Sequence, residues 1–423
     1  MKSRLHKLAL AATLLVAALV GGVPCQAAQN HEELTPGLTA LPFEEWLAAG
    51  EVKQIPWKVR VSKPYLRTDQ RLGVDIAVRI DAKHLNREET ERELWWLVRV
   101  QDSNREWLNS DQPFRSQLER PLPKDSQLRL GANAVLLPGK YRAVLVLYDR
   151  LTGARSVEVR DLNVKPLRSD PLPGAFRDLP PLAFERERPG WDAVYQPHLE
   201  GRLWLPVETR GPVQVEILVN FSASRQFTGR QAATRANWAN MIRALKPLTE
   251  LRLTHGTLNV TGVDLNTRRV IFEQQDVTEL DWPRLREALS GMNPNMVSVD
   301  ELQAKKQRAA YFRDLLAERL RSGESQSVAR EPARAGAPAP PHRVFIVLSG
   351  SMLFPRGSDL EPLQAPAGCD CHLYHLRFPL SFWHEWDELH RVLKPLKPRR
   401  FTIRSAMDLR KALGRILSEL RQF

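Results

Sequence analysis

Three short polar segments carry residue types that could hold a ligand: Asn220-Phe221-Ser222-Ala223-Ser224, Asp276-Val277-Thr278 and Ser349-Gly350-Ser351. Each follows a short apolar run that reads as a strand, at 213–219, 269–272 and 343–348. Ligands of open α/β sheets sit outside the carboxyl ends of strands, so these segments form the candidate site. Their chemistry is that of oxygen donors to a hard cation. Serine hydroxyls two residues apart on one loop can supply two ligands, and Asp276 is the one nearby acid that adds charge. Mg²⁺ needs an octahedron of oxygens, with one or two carboxylates to offset dehydration. Asn220, Ser222, Ser224, Thr278 and Ser349 are all neutral, so a Mg²⁺ cage built on Ser222, Ser224 and Asp276 is a poor one. The expectation is no cofactor, with these side chains hydrogen-bonding loop amides instead.

Other clusters carry less. Cys369-Asp370-Cys371-His372-Leu373-Tyr374-His375 gathers sulfur and imidazole, but its spacing fits no common zinc site and it reads as a strand. Alternation puts Cys369, Cys371 and Leu373 on one face, with His372 and Tyr374 on the other. A local disulfide or two free thiols is expected there. His384-Glu385-Trp386-Asp387-Glu388 has Glu388 where a zincin helix needs its second histidine. Ser349-Gly350-Ser351 lacks the Gly-x-Ser-x-Gly frame of a nucleophile elbow. Phosphate-binding glycine loops are absent from the sequence. No nucleophile–base pair is visible along the chain, so the expectation is a protein without enzymatic activity. The alternative is an envelope hydrolase acting on a polymer or peptide, and it needs Ser349, Ser222 or Ser224 beside a histidine that an acid orients.

The elements that must position these residues fall into two patterns. From Lys58, apolar residues recur with a period of two: Val74, Ile76, Val78 and Ile80 alternate with Asp75, Ala77 and Arg79. Further strands are predicted at 94–98, 128–130, 141–148 and 156–164, with a turn at Pro138-Gly139 and a hairpin at 149–153. One short helical stretch is expected near 87–93. Trp95 and Trp96 read as core and surface neighbours of one strand. Such a series suggests an antiparallel sandwich over 56–166, preceded by a lead-in. Residues 167–212, rich in proline, read as a connector. From Val213, strands alternate with helices, which predicts an α/β domain with a mostly parallel sheet over 213–423. Trp238, Met241, Ile242, Leu245 and Leu248 share one helix face. Ser298 and Glu301 have capping-box spacing for a helix reaching about Leu320, and 322–341 reads as a mobile loop. Ser405 and Asp408 open a terminal helix.

The two patterns resemble known families. Leu137-Pro138-Gly139-Lys140-Tyr141-Arg142, followed by Tyr148-Asp149 and Thr152-Gly153, is similar to late strands of immunoglobulin-like modules in bacterial envelope proteins. Residues 212–423 resemble a von Willebrand factor type A domain, the fold of the integrin inserted domain. That family's adhesion site reads Asp-x-Ser-x-Ser on the first loop, a threonine on a middle loop and Asp-Gly after the fourth strand. Here Asn220 and Ser349 replace the two aspartates, while Ser222, Ser224 and Thr278 match. The resemblance implies a multidomain chain in which an all-β immunoglobulin-like sandwich precedes an α/β Rossmann-like von Willebrand A-type domain. It also implies protein–protein interaction or adhesion through a degenerate metal site.

Composition bounds the setting. The chain has 423 residues, 43% hydrophobic and 26% charged, which excludes a largely disordered or multi-span membrane protein. Lys2, Arg4 and Lys7 precede an apolar stretch over 8–23 and the small residues of Cys25-Gln26-Ala27-Ala28, the layout of a signal peptide over 1–28. Its removal takes away three of 62 basic residues and no acid, so net charge falls from +13 to +10. The expectations are a secreted or periplasmic protein, a protein partner at the cell envelope, no nucleic acid, and no membrane span after cleavage. The basic carboxyl end, with Lys394, Lys397, Arg399, Arg400, Arg404, Arg410, Lys411 and Arg415, reads as a solvated face, with anionic lipid or polymer as the minority reading.

Overall fold

A computed structural model describes residues 41–86, 92–108, 112–118, 121–185, 200–222, 230–292, 304–328, 341–352, 363–364, 371–379 and 387–423, with single residues 299, 354, 358 and 361. The chain is a multidomain, β-rich protein. It divides into one unit of residues 1–65, 72–166 and 180–193, and another of 66–71, 167–179 and 194–423. The expected signal peptide, Trp191 and Tyr195, the Ser298 capping box and Ser224 lie outside the described residues.

The first unit contains two antiparallel sheets. Its strands are β1 (Val52–Lys53), β2 (Lys58–Val61), β3 (Leu72–Asp81), β4 (Arg92–Gln101), β5 (Gln112–Leu118), β6 (Gln127–Leu136), β7 (Gly139–Asp149), β8 (Arg155–Val164) and β9 (Leu182–Glu185). One sheet runs β1-β8-β7-β4-β5, and the path of the other is β9-β6-β3-β2. Alternation decides what is buried: Val74, Ile76, Val78 and Ile80 are all buried, as are Leu94, Trp96, Val98 and Val100. The lead-in is more structured than its polar composition suggests. A helix, α1 (Phe43–Ala48), packs Phe43 and Trp46 over Leu97, Val144, Val146 and Val157. Two helical and surface expectations change. The described helix is α2 (Ala82–Leu85), and Arg92 and Glu93 already belong to β4. Trp95 and Trp96 are both buried, and the Trp95 indole N–H donates to Glu93. The 149–153 hairpin is present: Asp149 Oδ1 accepts from Leu151 and Thr152 N–H, and Gly153 takes φ +71°.

The second unit is built on a six-stranded sheet. After β10 (Leu205–Val207) come β11 (Val213–Asn220), α3 (Arg230–Thr249), β12 (Leu251–Leu253), β13 (Gly256–Asp264), β14 (Arg269–Gln274) and α4 (Trp282–Ser290). They are followed by α5 (Arg308–Val328), β15 (His342–Gly350), β16 (Cys371–Phe378), α6 (Leu389–Leu393), β17 (Arg399–Thr402) and α7 (Ala406–Leu420). The sheet order is β14-β13-β11-β15-β16-β17, and every neighbour pair is parallel except β13–β14. β11 and β15 read as nearly unbroken apolar runs because both faces are covered. On one face Leu218, Val263, Phe345, Val347 and Leu373 pack with Phe312, Leu316, Leu389 and Val392 of α5 and α6. On the other, Tyr374 donates its hydroxyl to Glu419 of α7. The predicted face of α3 is buried throughout, and Ser405 and Asp408 form the expected capping box of α7.

The proline-rich span 167–212 contains ordered, packed segments. It holds β9, an edge strand on β6, and β10, parallel to β12, and it buries Leu172, Ala175, Leu179, Leu203 and Val207. Edge strands tolerate nearby prolines because one side of their backbone needs no partner. Within the second unit Asp170 takes a two-pronged ion pair from the fully buried Arg410. The helix expected to end near Leu320 continues to Val328, which corrects the loop predicted from 322 over residues 322–328; residues 329–340 lie outside the described residues.

Candidate functional site

Register brings the sequence-distant residues together. Asn220, the last residue of β11, stands opposite Ser349 in β15 and Val263 in β13; Ser349 is opposite Arg377, which is opposite Thr402. The carboxyl ends of five strands therefore present one row. Ser222 lies immediately beyond it, and Asn220, Ser222 and Ser349 are all buried, none more than 1% exposed.

Two networks occupy this row. In the first, Asn220 Oδ1 accepts from Ser222 N–H at 3.0 Å, and Ser222 Oγ donates to Asp264 Oδ1 at 2.7 Å. The same Ser222 oxygen accepts from the N–H groups of Leu265 and Asn266, and Asp264 Oδ2 accepts from Thr267 Oγ at 2.7 Å. Asn237 of α3 closes the network, its Nδ2 donating to the carbonyls of Asn220 and Ser222. Gly350 makes room for it: a Cβ there would stand 2.5 Å from Asn237 Oδ1. Among the described residues Asn220 Nδ2 and Asn237 Oδ1 have no hydrogen-bond partner.

The second network is Ser349, His375 and Asp387. Ser349 Oγ and His375 Nε2 are 2.9 Å apart, and Asp387 Oδ2 lies 3.8 Å from the same nitrogen. Asp387 Oδ1 accepts from Met352 N–H. Burial pushes the His375 pKa down to about 3, helped by the Arg400, His390 and Arg377 charges. Burial likewise pushes Asp387 up to about 6, against the pull of Met352 N–H, Arg377 and Arg400. At neutral pH the imidazole is uncharged, so its approach to Asp387 is not an ion pair. The acid also sits on the serine's side of the ring, whereas a hydrolase triad orients the imidazole through its far nitrogen. That nitrogen, Nδ1, has no partner among the described residues.

The remaining predicted residues do not join this site. Asp276 and Thr278 are exposed at the opposite end of the sheet, where Val277 N–H bonds Leu258 O and Asp276 N–H bonds Asn259 Oδ1. β14 runs antiparallel to β13, so its carboxyl end lies beside the amino ends of the parallel strands. The acid that does reach Ser222 is Asp264, the last residue of β13. Its signal was an acid closing a buried strand. His375 and Arg377 share a face with core residue Leu373 by period two, which marks them as inward-facing polar residues. Asp387 had no local signal.

These residues do not fit Mg²⁺. The two serine oxygens are engaged, one by Asp264 and two amides, the other by His375, and among the described residues Asp264 is the sole carboxylate that hydrogen-bonds Ser222. No cluster of three or more His, Cys, Asp or Glu suited to a metal occurs among the described residues. Cys371 is disulfide-bonded, which removes it as a thiolate ligand. Its neighbours alternate as expected: Cys371 and Leu373 pack on the α5 side, while His372 contacts Phe423. No helix among the described residues is long and apolar enough to cross a membrane.

No family model matches the chain, and no curated protein does. Solved structures give distant likenesses. A Bordetella pertussis protein assigned to ApaA is 12% identical over 27% of this chain and 96% of its own, with a TM-score of 0.17. β-Glucuronidase 2 of Bacteroides uniformis is 10% identical, covering 69% of this chain and 33% of its own, with a TM-score of 0.20. A family 123 glycoside hydrolase from Clostridium perfringens is 8% identical over 82% and 73%, with a TM-score of 0.23. Likenesses at this level carry no functional argument.

Proposed function

We propose that this chain is an exported binding protein of the bacterial cell envelope, in which an immunoglobulin-like sandwich precedes a von Willebrand A-like domain. Its site is a degenerate adhesion site that holds no metal, and it acts by contacting a protein partner rather than by catalysis. One observation carries the reading: Asn220 and Ser349, the residues in the places of the family's two aspartates, stand opposite each other at the ends of adjacent parallel strands. Ser222 follows on the first loop, as that resemblance requires. The strand order, with one antiparallel hairpin at the edge, is consistent with it.

Neutral residues at both aspartate positions leave little charge to replace the ion's hydration shell. A ligand stabilises a fold only when present well above its dissociation constant, so millimolar Mg²⁺ should leave the melting temperature where a chelator leaves it. The variant Asn220→Asp with Ser349→Asp places two carboxylates side by side in a buried site. It should be less stable in chelator and regain stability with Mg²⁺. Capture of an envelope partner by the wild-type chain should be indifferent to chelator. Stabilisation of the wild type by Mg²⁺ would refute the degenerate site, and a double variant that ignores the ion would refute the loop alignment.

A second reading, a serine hydrolase, is favoured by the 2.9 Å approach of Ser349 Oγ to His375 Nε2. It is the weaker one. The three side chains are buried, and the acid does not orient the imidazole from behind.

A further inference from the structure

A cavity of about 490 Å³ lies beside the row of strand ends, lined by Arg377, Arg400, Thr402, Arg404 and Asp408. Register builds it. His375 is opposite Arg400 and Arg377 opposite Thr402, so Arg377, Arg400 and Thr402 project from one face of two adjacent parallel strands. The link from β17 to α7 is only residues 403–405, which brings Arg404 and the first turn of a 15-residue helix to the same place. Arg377 is 3% exposed and its Nη2 lies 3.4 Å from Thr402 Oγ, so one guanidinium is held in the wall. Arg400 and Arg404 are exposed and meet the solvent side.

The charges decide the ligand. Asp408 is committed to the helix cap: its Oδ2 accepts from Arg404 N–H, Ser405 N–H and Ser405 Oγ. The amide of Asp408 is likewise taken by Ser405 Oγ, so the helix terminus contributes its field rather than that donor. Three guanidinium groups and one carboxylate line the space, so its lining is predominantly cationic. Planar guanidinium forks match the oxygens of a phosphate group, and Thr402 adds a hydroxyl. The volume lies within the range of pockets that enclose a small organic molecule, not an ion alone. We propose that this cavity binds a phosphate monoester, a dianion carried on a small organic molecule. The site is independent of the adhesion-type reading above.

The test is isothermal titration calorimetry on the full chain at constant ionic strength, with glucose 6-phosphate, inorganic phosphate and glucose as probes. Glucose 6-phosphate should bind saturably, inorganic phosphate more weakly, and glucose not at all. Arg400→Gln and Arg404→Gln, both at exposed positions, should each weaken binding by about tenfold to a hundredfold, the worth of a hydrogen bond to a charged group. Lys411→Gln, an equal charge change on the exposed side of α7, should leave affinity unchanged. Absence of saturable binding, or arginine variants that bind like wild type, would overturn the site. An equal loss in Lys411→Gln would reduce the effect to net charge and also overturn it. Equal affinity for inorganic phosphate would overturn the ester assignment.

Discussion

Protonation of the Ser349–His375–Asp387 network should tune stability in two opposing directions. His375 is pushed from 6.5 down to about 3 in the fold, so its contribution is complete above pH 6.5 and is lost as the pH falls towards 3. Asp387 is pushed from 3.8 up to about 6, so its contribution is present below 3.8 and is lost as the pH rises through 6. Between pH 7 and pH 5, linkage assigns His375 a loss of about 2 kcal/mol and Asp387 a gain of about 1 kcal/mol, so the two oppose each other. Removing either group exposes the other. Asp387→Asn should lose about 1 kcal/mol more than wild type over this interval, and His375→Gln about 2 kcal/mol less. For a unit of this size that is roughly 2–4 °C in melting temperature per kcal/mol. Differential scanning calorimetry at pH 7 and pH 5 separates the transitions of the two units, and comparison with wild type cancels every other titrating carboxylate. Parallel pH shifts in all three proteins would refute a buried neutral histidine. A flatter response in Asp387→Asn would instead mean that wild type holds a histidinium–carboxylate ion pair, and would refute the neutral imidazole.

A fluorophosphonate probe should leave the full chain unlabelled at Ser349, whose hydroxyl is buried and engaged by His375; labelling that disappears in Ser349→Ala, read by mass spectrometry, would establish the hydrolase reading. Gly350→Ala should destabilise the second unit by about 1–3 kcal/mol in urea unfolding, the usual cost of overpacking, because the new methyl meets Asn237 Oδ1. In an Asn237→Ala background the same change should cost much less, and equal costs in both backgrounds would place the strain elsewhere.

What the sequence disclosed and what it withheld divide along a physical line. Strand and helix runs were legible because burial writes period two, unbroken apolar stretches and capping pairs into neighbouring residues, as in 74–80, 343–348 and Ser405 with Asp408. Asn220 and Ser349, 129 positions apart, were brought into one candidate site by the rule that ligands gather at strand ends, and they meet in register. Asp276 shows where that rule misleads. The Asn266-Thr267 turn implies a hairpin, and a hairpin reverses the chain, so the end of β14 belongs at the other edge of the sheet from Asn220. Asp264 sits on the near side of that turn, where the reversal has not yet occurred, and it takes the serine. His375 and Asp387 were illegible for a different reason. Each is an ordinary polar residue along the chain, and its chemistry comes from burial and from Arg377 and Arg400 supplied by adjacent strands. The same adjacency gathers the arginines into a cavity, whereas in sequence they read as a solvated basic run. Charge along a chain therefore says little until register decides which cations share one space.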